Sequence, residues 1–204
     1  SYRAPMPRVL LFLLSLLLAA PAAAQLGAGT RHMMVGLEAE SRTPAPGRTV
    51  TLALTMSPEP GWHGYWLNPG DAGAPPRVAW SLPPGVTAGP LLYPVPDRLS
   101  VAGLVNYVYK GPYAHLVMLR VPAGLRPGTA LPIRARLDYL VCTDTLCVPE
   151  QAEVAADLTV GDGTVAPADA RRFHAWRAAL PRPLSAPARY AMTDGKLRMA
   201  VPLP

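Results

Sequence analysis

One stretch constrains this chain more than any other: Val141-Cys142-Thr143-Asp144-Thr145-Leu146-Cys147-Val148-Pro149-Glu150. It holds the only two cysteines in 204 residues. Upstream, Ile133, Ala135, Leu137, Tyr139 and Val141 alternate with Arg134, Arg136 and Asp138. Downstream, Val154, Ala156, Leu158 and Val160 alternate with Glu153, Ala155, Asp157 and Thr159. Period-2 patterning on both sides of a short break is the signature of a β-hairpin, and four-residue loops are common in hairpins. With Thr143 to Leu146 as the loop, Cys142 and Cys147 oppose each other, with Cα atoms about 4.5–5.5 Å apart, inside the range for a disulfide. Cys142 shares parity with Arg136 and Asp138, so its sulfur is expected on the solvent-facing side of the tip. A bridge closing so short a loop removes roughly 2 kcal/mol of unfolded-state entropy. An exposed, closely spaced pair also suits thiol exchange, because the attacking thiolate must reach a sulfur. The residues alone leave a structural staple and a redox pair equally open.

Residues 1–24 read as a secretory signal peptide. Arg3 and Arg8 precede the apolar run Val9 to Ala20, and Pro21-Ala22-Ala23-Ala24 supplies small residues before Gln25. The run is too short to span a bilayer. Export places the mature chain where disulfides persist. The formal charge is +6. The basic residues are scattered, nearly all arginine, and form no run of five, so the charge reads as solvated surface and no nucleic-acid partner is expected.

From His32 to Val160 the pattern is all-β. Strands are expected at Met34 to Glu40, Val50 to Met56, Trp62 to Leu67, Arg77 to Leu82, Leu104 to Tyr109 and Tyr113 to Val121, followed by the cysteine hairpin. The 26 prolines cluster between these runs, as in Pro44-Ala45-Pro46-Gly47 and Pro83-Pro84-Gly85, and mark turns. Seven or more short strands predict an immunoglobulin-like β-sandwich over residues 25–160. A helix and Pro/Ala linker follow over 161–188: Pro167 suits a first helical turn, Phe173, Trp176 and Leu180 recur at helical spacing, and Pro181 ends the run. Residues 189–204 read as the start of a second, truncated domain.

Four blocks in order carry a family resemblance. They are Gly61-Trp62-His63-Gly64-Tyr65-Trp66-Leu67-Asn68-Pro69-Gly70-Asp71-Ala72-Gly73; Trp80-Ser81-Leu82-Pro83-Pro84-Gly85 with Ala88-Gly89-Pro90 and Tyr93-Pro94-Val95-Pro96-Asp97-Arg98; Gly103-Leu104-Val105-Asn106-Tyr107; and Leu140-Val141-Cys142 to Cys147-Val148-Pro149-Glu150. Over roughly residues 32–160 they resemble the N-terminal periplasmic domain of the DsbD/ScsB thiol:disulfide interchange proteins. The resemblance implies an immunoglobulin-like redox domain without a cofactor. It implies a protein-disulfide reductase working as part of a longer protein anchored in the inner membrane. The partners implied are periplasmic thioredoxin-fold proteins, together with thioredoxin-like and membrane domains of the same longer chain. The family's cysteine pair falls on Cys142 and Cys147, and its nucleophile on Cys147. Four residues separate the cysteines here, where the best-known members have five. Those members shield the disulfide with an aromatic on a cap loop, for which Tyr93 and Tyr107 are the candidates.

Other residues around the site carry weaker signals. Trp62, Tyr65 and Trp66 read as packing, and Asn68 to Asp71 as turn chemistry. Asp144 and Glu150 are negative neighbours that could raise a thiol pKa. Pro149 lacks an N–H, so pairing at the start of the second hairpin strand is expected to be weakened and Cys147 to be the more open sulfur. Two rival classes stand beside the redox reading. One is a non-catalytic sandwich module with a structural disulfide. The other is a periplasmic copper-binding or copper-tolerance domain, drawing on His32, Met33, Met34, Met56, His63, His115 and the cysteines as soft ligands. No nucleophile–base signature such as G-x-S-x-G is present.

Overall fold

The computed structural model describes residues 31–202, and the signal-peptide reading of residues 1–24 lies outside them. Twelve strands and one helix follow in order: β1 (Met33–Ala39), β2 (Thr49–Pro58), β3 (Gly64–Gly70), β4 (Arg77–Ser81), β5 (Thr87–Ala88), β6 (Asp97–Val101), β7 (Leu104–Tyr109), β8 (Tyr113–Arg120), β9 (Ala130–Cys142), β10 (Cys147–Thr159), α1 (Pro167–Ala178), β11 (Arg189–Thr193) and β12 (Lys196–Ala200). Among the described residues no helix is long and apolar enough to cross a membrane.

Two sheets, β1-β2-β8-β5 and β10-β9-β4, face each other and make the expected β-sandwich. The alternation in β9 is the physical reason. Leu131, Ile133, Ala135, Leu137, Tyr139 and Val141 are all buried, while Arg134 and Arg136 between them are exposed. They meet Leu54, Met56 and Tyr113 at one end of the sandwich and Val50, Leu52, Val117 and Leu119 at the other. β9 and β10 pair without a slip from Ala130↔Thr159 to Cys142↔Cys147. A slip of one residue would turn the whole apolar row to solvent, so the core fixes the register that brings the cysteines together.

β2 and β8 do not alternate. Thr51, Ala53, Ala114 and Leu116 are buried although they point away from the sandwich core. The reason is α1, which lays Phe173 on Ala53, Ala114 and Leu116, with Trp176 and Leu180 alongside. Full burial of one such aromatic contributes about 1.5–3 kcal/mol. Arg177 clasps Glu40 and donates to Thr51 Oγ1 at 2.7 Å. That ion pair holds the Glu40 carboxyl below the usual carboxylate range.

A third sheet, β3-β7-β6, had no place in the sequence reading. The missing strand was β6, joined to β7 through Ala102 and Gly103, both at positive φ (50° and 85°). An Ala-Gly pair is not the Asn-Gly or Asp-Gly signal of a two-residue hairpin turn. The short β5 was also unanticipated. β11 and β12 pair with each other through Asp194 and Gly195, both again at positive φ, and all ten of their residues are exposed.

His115 stands inside the sandwich, opposite Leu54 in the register. The rings of Tyr93, Tyr113 and Tyr109 lie 4.3, 5.1 and 5.8 Å away. Neither of its ring nitrogens has a hydrogen-bond partner among the described residues. Burial pushes its pKa down to about 3. In the unfolded chain an imidazole titrates near about 6.5. Between these values the unfolded state binds the extra proton, so stability is full above about pH 6.5 and falls as the pH drops toward 3, by up to about 1.4 kcal/mol per pH unit. His63, whose pKa burial also lowers, acts in the same direction. His115→Phe should therefore flatten the fall in urea midpoint between pH 6 and 4. An unchanged slope would mean that His115 does not carry this acid sensitivity.

Candidate functional site

Cys142 and Cys147 are joined, with S–S 2.02 Å and Cα atoms 4.1 Å apart. The loop between them is closed by Thr143, whose N–H donates to the Leu146 carbonyl at 2.8 Å and whose hydroxyl oxygen accepts from the Leu146 N–H at 3.0 Å. On its other side Cys142 pairs with His63: each N–H donates to the other's carbonyl, at 2.8 and 3.0 Å. The backbone groups of Cys142 thus point at His63. Its pairing with Cys147 is the non-hydrogen-bonded kind, in which side chains stand closest. By the same parity the N–H and C=O of Cys147 face the edge of β10 that no strand pairs at this end among the described residues. Pro149, two residues on, also faces its missing N–H to that edge. The expected weakening of the pairing at Pro149 therefore does not occur: no ladder bond is lost, as is usual for proline on an edge strand.

The sulfurs share the outer face of the sheet with Arg136 and Asp138, as parity predicted, but that face is not open at this end. Cys142 is fully buried, whereas Cys147 is exposed. The cause is the third sheet. Tyr65 on β3, Val108 on β7 and Leu99 on β6 close over Cys142 and Leu140. Of the two bridged residues only Cys147 is left at the surface.

Paired residues in a sheet present their side chains to one face, and so do residues i and i+2 of a strand. His63, Tyr65, Cys142 and Cys147 accordingly stand together. The Tyr65 hydroxyl lies 3.9 Å from Cys147 Sγ. The His63 ring meets the Tyr65 ring edge-on at 5.4 Å. Burial raises the Tyr65 phenol and lowers the His63 imidazole, which also feels Asp144 and Lys110. Both side chains are therefore neutral at pH 7.

The end of β3 and the loop that follows it to Gly73 explain why Tyr65 stays there. Asn68 Oδ1 accepts from the Gly70 N–H, but Asn68 to Gly70 form the end of β3 and the expected turn begins only at Asp71. Asp71 accepts from the Val105 N–H at 2.7 Å and returns its own N–H to the Val105 carbonyl. Buried Asn106 accepts from the Ala72 N–H at 2.9 Å. The loop is thus tied to β7, and its last residue, Gly73, lies against Tyr65. A Cβ at Gly73 would fall 2.1 Å from Tyr65 Cε1, and one at Gly70 would fall 2.2 Å from the Val105 carbonyl oxygen. Each glycine also has a φ of 90°.

Other candidates lie elsewhere. Tyr93 packs on His115, and Tyr107 meets Trp66 at 5.8 Å. The aromatic at the disulfide is instead Tyr65. Glu150 shares parity with Val148, Ala152 and Val154, so its carboxylate is on the opposite face from the sulfurs. There it accepts from the His32 N–H at 2.7 Å and the Tyr139 hydroxyl at 2.9 Å. Its hydrogen bonds thus hold it at the end of the sandwich, away from the sulfurs. Asp144 is exposed in the hairpin loop. Trp62 stacks on His32 at 3.7 Å. The soft ligands considered for copper are dispersed: Met33 and Met56 are core residues, and His115 is enclosed by tyrosines. Among the described residues no three His, Cys, Asp or Glu side chains converge. Val108, Leu99 and Asn106 escaped the functional reading of the sequence. The last lay in a quoted block, but the first two become visible only once the third sheet docks.

A family model described as thiol:disulfide interchange protein DsbD, N-terminal, matches residues 33–159. The chain belongs to this family. As a DsbD N-terminal domain it is a thiol:disulfide interchange domain, with Cys142–Cys147 as its disulfide. Among solved structures it is similar to the N-terminal periplasmic domain of ScsB from Proteus mirabilis, at 20% identity and a TM-score of 0.55 over 85% of this chain and 65% of that one. It thus spans a little under two thirds of the ScsB chain, a likeness of fold. The DsbD N-terminal domain of Neisseria meningitidis in its reduced form is also similar, at 13% identity and a TM-score of 0.34, covering 65% of this chain and 87% of that one. So is a complex between the DsbD and PilB N-terminal domains of that organism, at 14% and 0.34, covering 70% and 93%. No curated protein matches the chain.

The exposed sulfur and the short loop give one expectation. Dithiothreitol should reduce the disulfide in the folded domain and lower stability by about 2 kcal/mol. Alkylation mass shifts without denaturant, paired with urea melts of both forms, measure this. A bridge that resists reduction until the domain unfolds would mark it as a buried staple.

Proposed function

We propose that this chain is the electron-donating periplasmic domain of a longer, inner-membrane-anchored protein-disulfide reductase. Its dithiol reduces oxidised thioredoxin-fold proteins and is re-reduced by thioredoxin-like and membrane domains of the same protein. Cys147 is the partner-facing nucleophile and Cys142 the resolving thiol. The observation that carries the assignment is the unequal burial of the two cysteines, Cys147 exposed and Cys142 enclosed. The Cys147 thiolate attacks the partner's disulfide, forms a mixed disulfide and expels one partner thiolate. The Cys142 thiolate then attacks the Cys147 sulfur. The second partner thiolate leaves, the Cys142–Cys147 bond forms, and two electrons have passed to the partner. The partner approaches the free edge of β10, where the backbone of Cys147 points outward.

Two further readings complete the proposal. Residues 1–24 direct export and are removed. β11 and β12 belong to a second domain, since Tyr190, Met192, Leu197 and Met199 share one exposed face and a lone two-stranded hairpin is marginal in water.

The roles of the cysteines separate cleanly. Cys142→Ser lacks the resolving thiol and should accumulate a covalent complex with an oxidised periplasmic thioredoxin-fold protein on non-reducing gels. Cys147→Ser should accumulate little. Equal trapping would remove the assignment of roles, and trapping by neither would leave the hairpin a staple.

A further inference from the structure

We propose that the Tyr65 hydroxyl is the hydrogen-bond donor that holds the Cys147 sulfur as a thiolate during exchange. The proposal rests on the reading of Cys147 as nucleophile, but its test needs no partner.

Three observations carry it. The first is contact. The hydroxyl lies 3.9 Å from Cys147 Sγ, and a disulfide sulfur bears no hydrogen, so the phenol is the donor. The second is constraint. Tyr65 is buried among Val108, Cys142, Leu99 and Leu140, meets His63 edge-on, and lies against a glycine that leaves no room for a side chain. The loop bearing that glycine is held by Asp71 and Asn106. Four segments of chain therefore fix one hydroxyl. The third is the charge around it. Glu150 is committed to His32 and Tyr139 on the opposite face, and Asp144 is out in solvent. The His63 ring beside Tyr65 is neutral at pH 7 and supplies no cation to the sulfur; the cation felt at that ring is Lys110, exposed just after β7.

Reduction turns the weak acceptor in the disulfide into a far stronger one. Hydrogen bonds to a charged acceptor are shorter and roughly twice as strong as neutral ones. Burial keeps the phenol protonated across the working pH range, so it remains a donor while the sulfur changes charge. The tyrosine thereby favours the charged form of the sulfur and lowers the thiol pKa. When Cys142 later attacks the Cys147 sulfur, the thiolate leaves from the partner's side. Tyr65 gives up no proton in the cycle, and the balance of atoms is that of the exchange alone.

The test uses Cys142→Ser, so that only Cys147 titrates, with and without Tyr65→Phe. Thiolate absorbance or the pH dependence of iodoacetamide alkylation gives the thiol pKa. Loss of the hydroxyl should raise it by about one unit. The thiolate fraction at neutral pH falls about tenfold, while the rate falls only about threefold, because a more basic thiolate is intrinsically the better nucleophile. A role in packing alone would lower the melting temperature and leave the thiol pKa in place. Should Tyr65→Phe not fold, Cys142→Ser itself decides: the Tyr65 Cζ carbon shift should titrate with the Cys147 midpoint. An unchanged thiol pKa in the phenylalanine variant, or a flat Cζ shift, overturns the proposal.

Discussion

The site depends on how the backbone of Cys142 is shared. Its N–H and C=O are bound to His63, so its pairing with Cys147 is the close, non-hydrogen-bonded kind. Two consequences follow from that single register. The sulfurs come within bonding distance across a loop of four residues. The amide and carbonyl of Cys147 turn to the free edge of β10, toward solvent and any approaching chain. The register is held along the whole length of β9, by the buried row from Leu131 to Val141. A distributed apolar core thus positions a local redox pair.

The third sheet then makes the two sulfurs unequal. It covers Cys142 with Tyr65, Val108 and Leu99 and leaves Cys147 open. The end of β3 and the loop that follows it to Gly73 serve this arrangement. Their glycines admit backbone and ring at distances that any side chain would block, and Asp71 and Asn106 fasten the loop to β7. Motif residues that look like turn punctuation therefore set the position of an aromatic hydroxyl beside a sulfur. The link from sequence to function runs through packing, not through a ligand set.

The hairpin was legible because period-2 alternation and a tight loop are local signals, and the register of all its pairs follows from them. The helix was legible for the same reason, since Phe173 and Trp176 fall on one face, and Leu180, just past its end, packs on the same cluster. What was not legible was non-local. The apparent solvent face at Cys142 is covered by strands more than thirty residues earlier in sequence, and β6 escaped notice because Ala102-Gly103 is a weak turn signal. Glu150 looked like a thiol neighbour by sequence distance, yet strand parity puts it on the other side. Tyr93 and Tyr107 resembled a shield by position in a motif, but their rings pack on His115 and Trp66. Proline at position 149 suggested a broken ladder, although its parity makes the missing N–H harmless.

The central claim is that one sulfur is presented and the other withheld. Site-resolved alkylation of the reduced, folded domain tests it most directly. A brief pulse of one isotopic reagent is followed by unfolding and saturation with another, and peptide mapping assigns the label at each cysteine. The account requires the pulse to mark Cys147 well before Cys142, with the difference vanishing when the pulse is given in urea. Equal labelling of the two in the folded domain, or earlier labelling of Cys142, would contradict it.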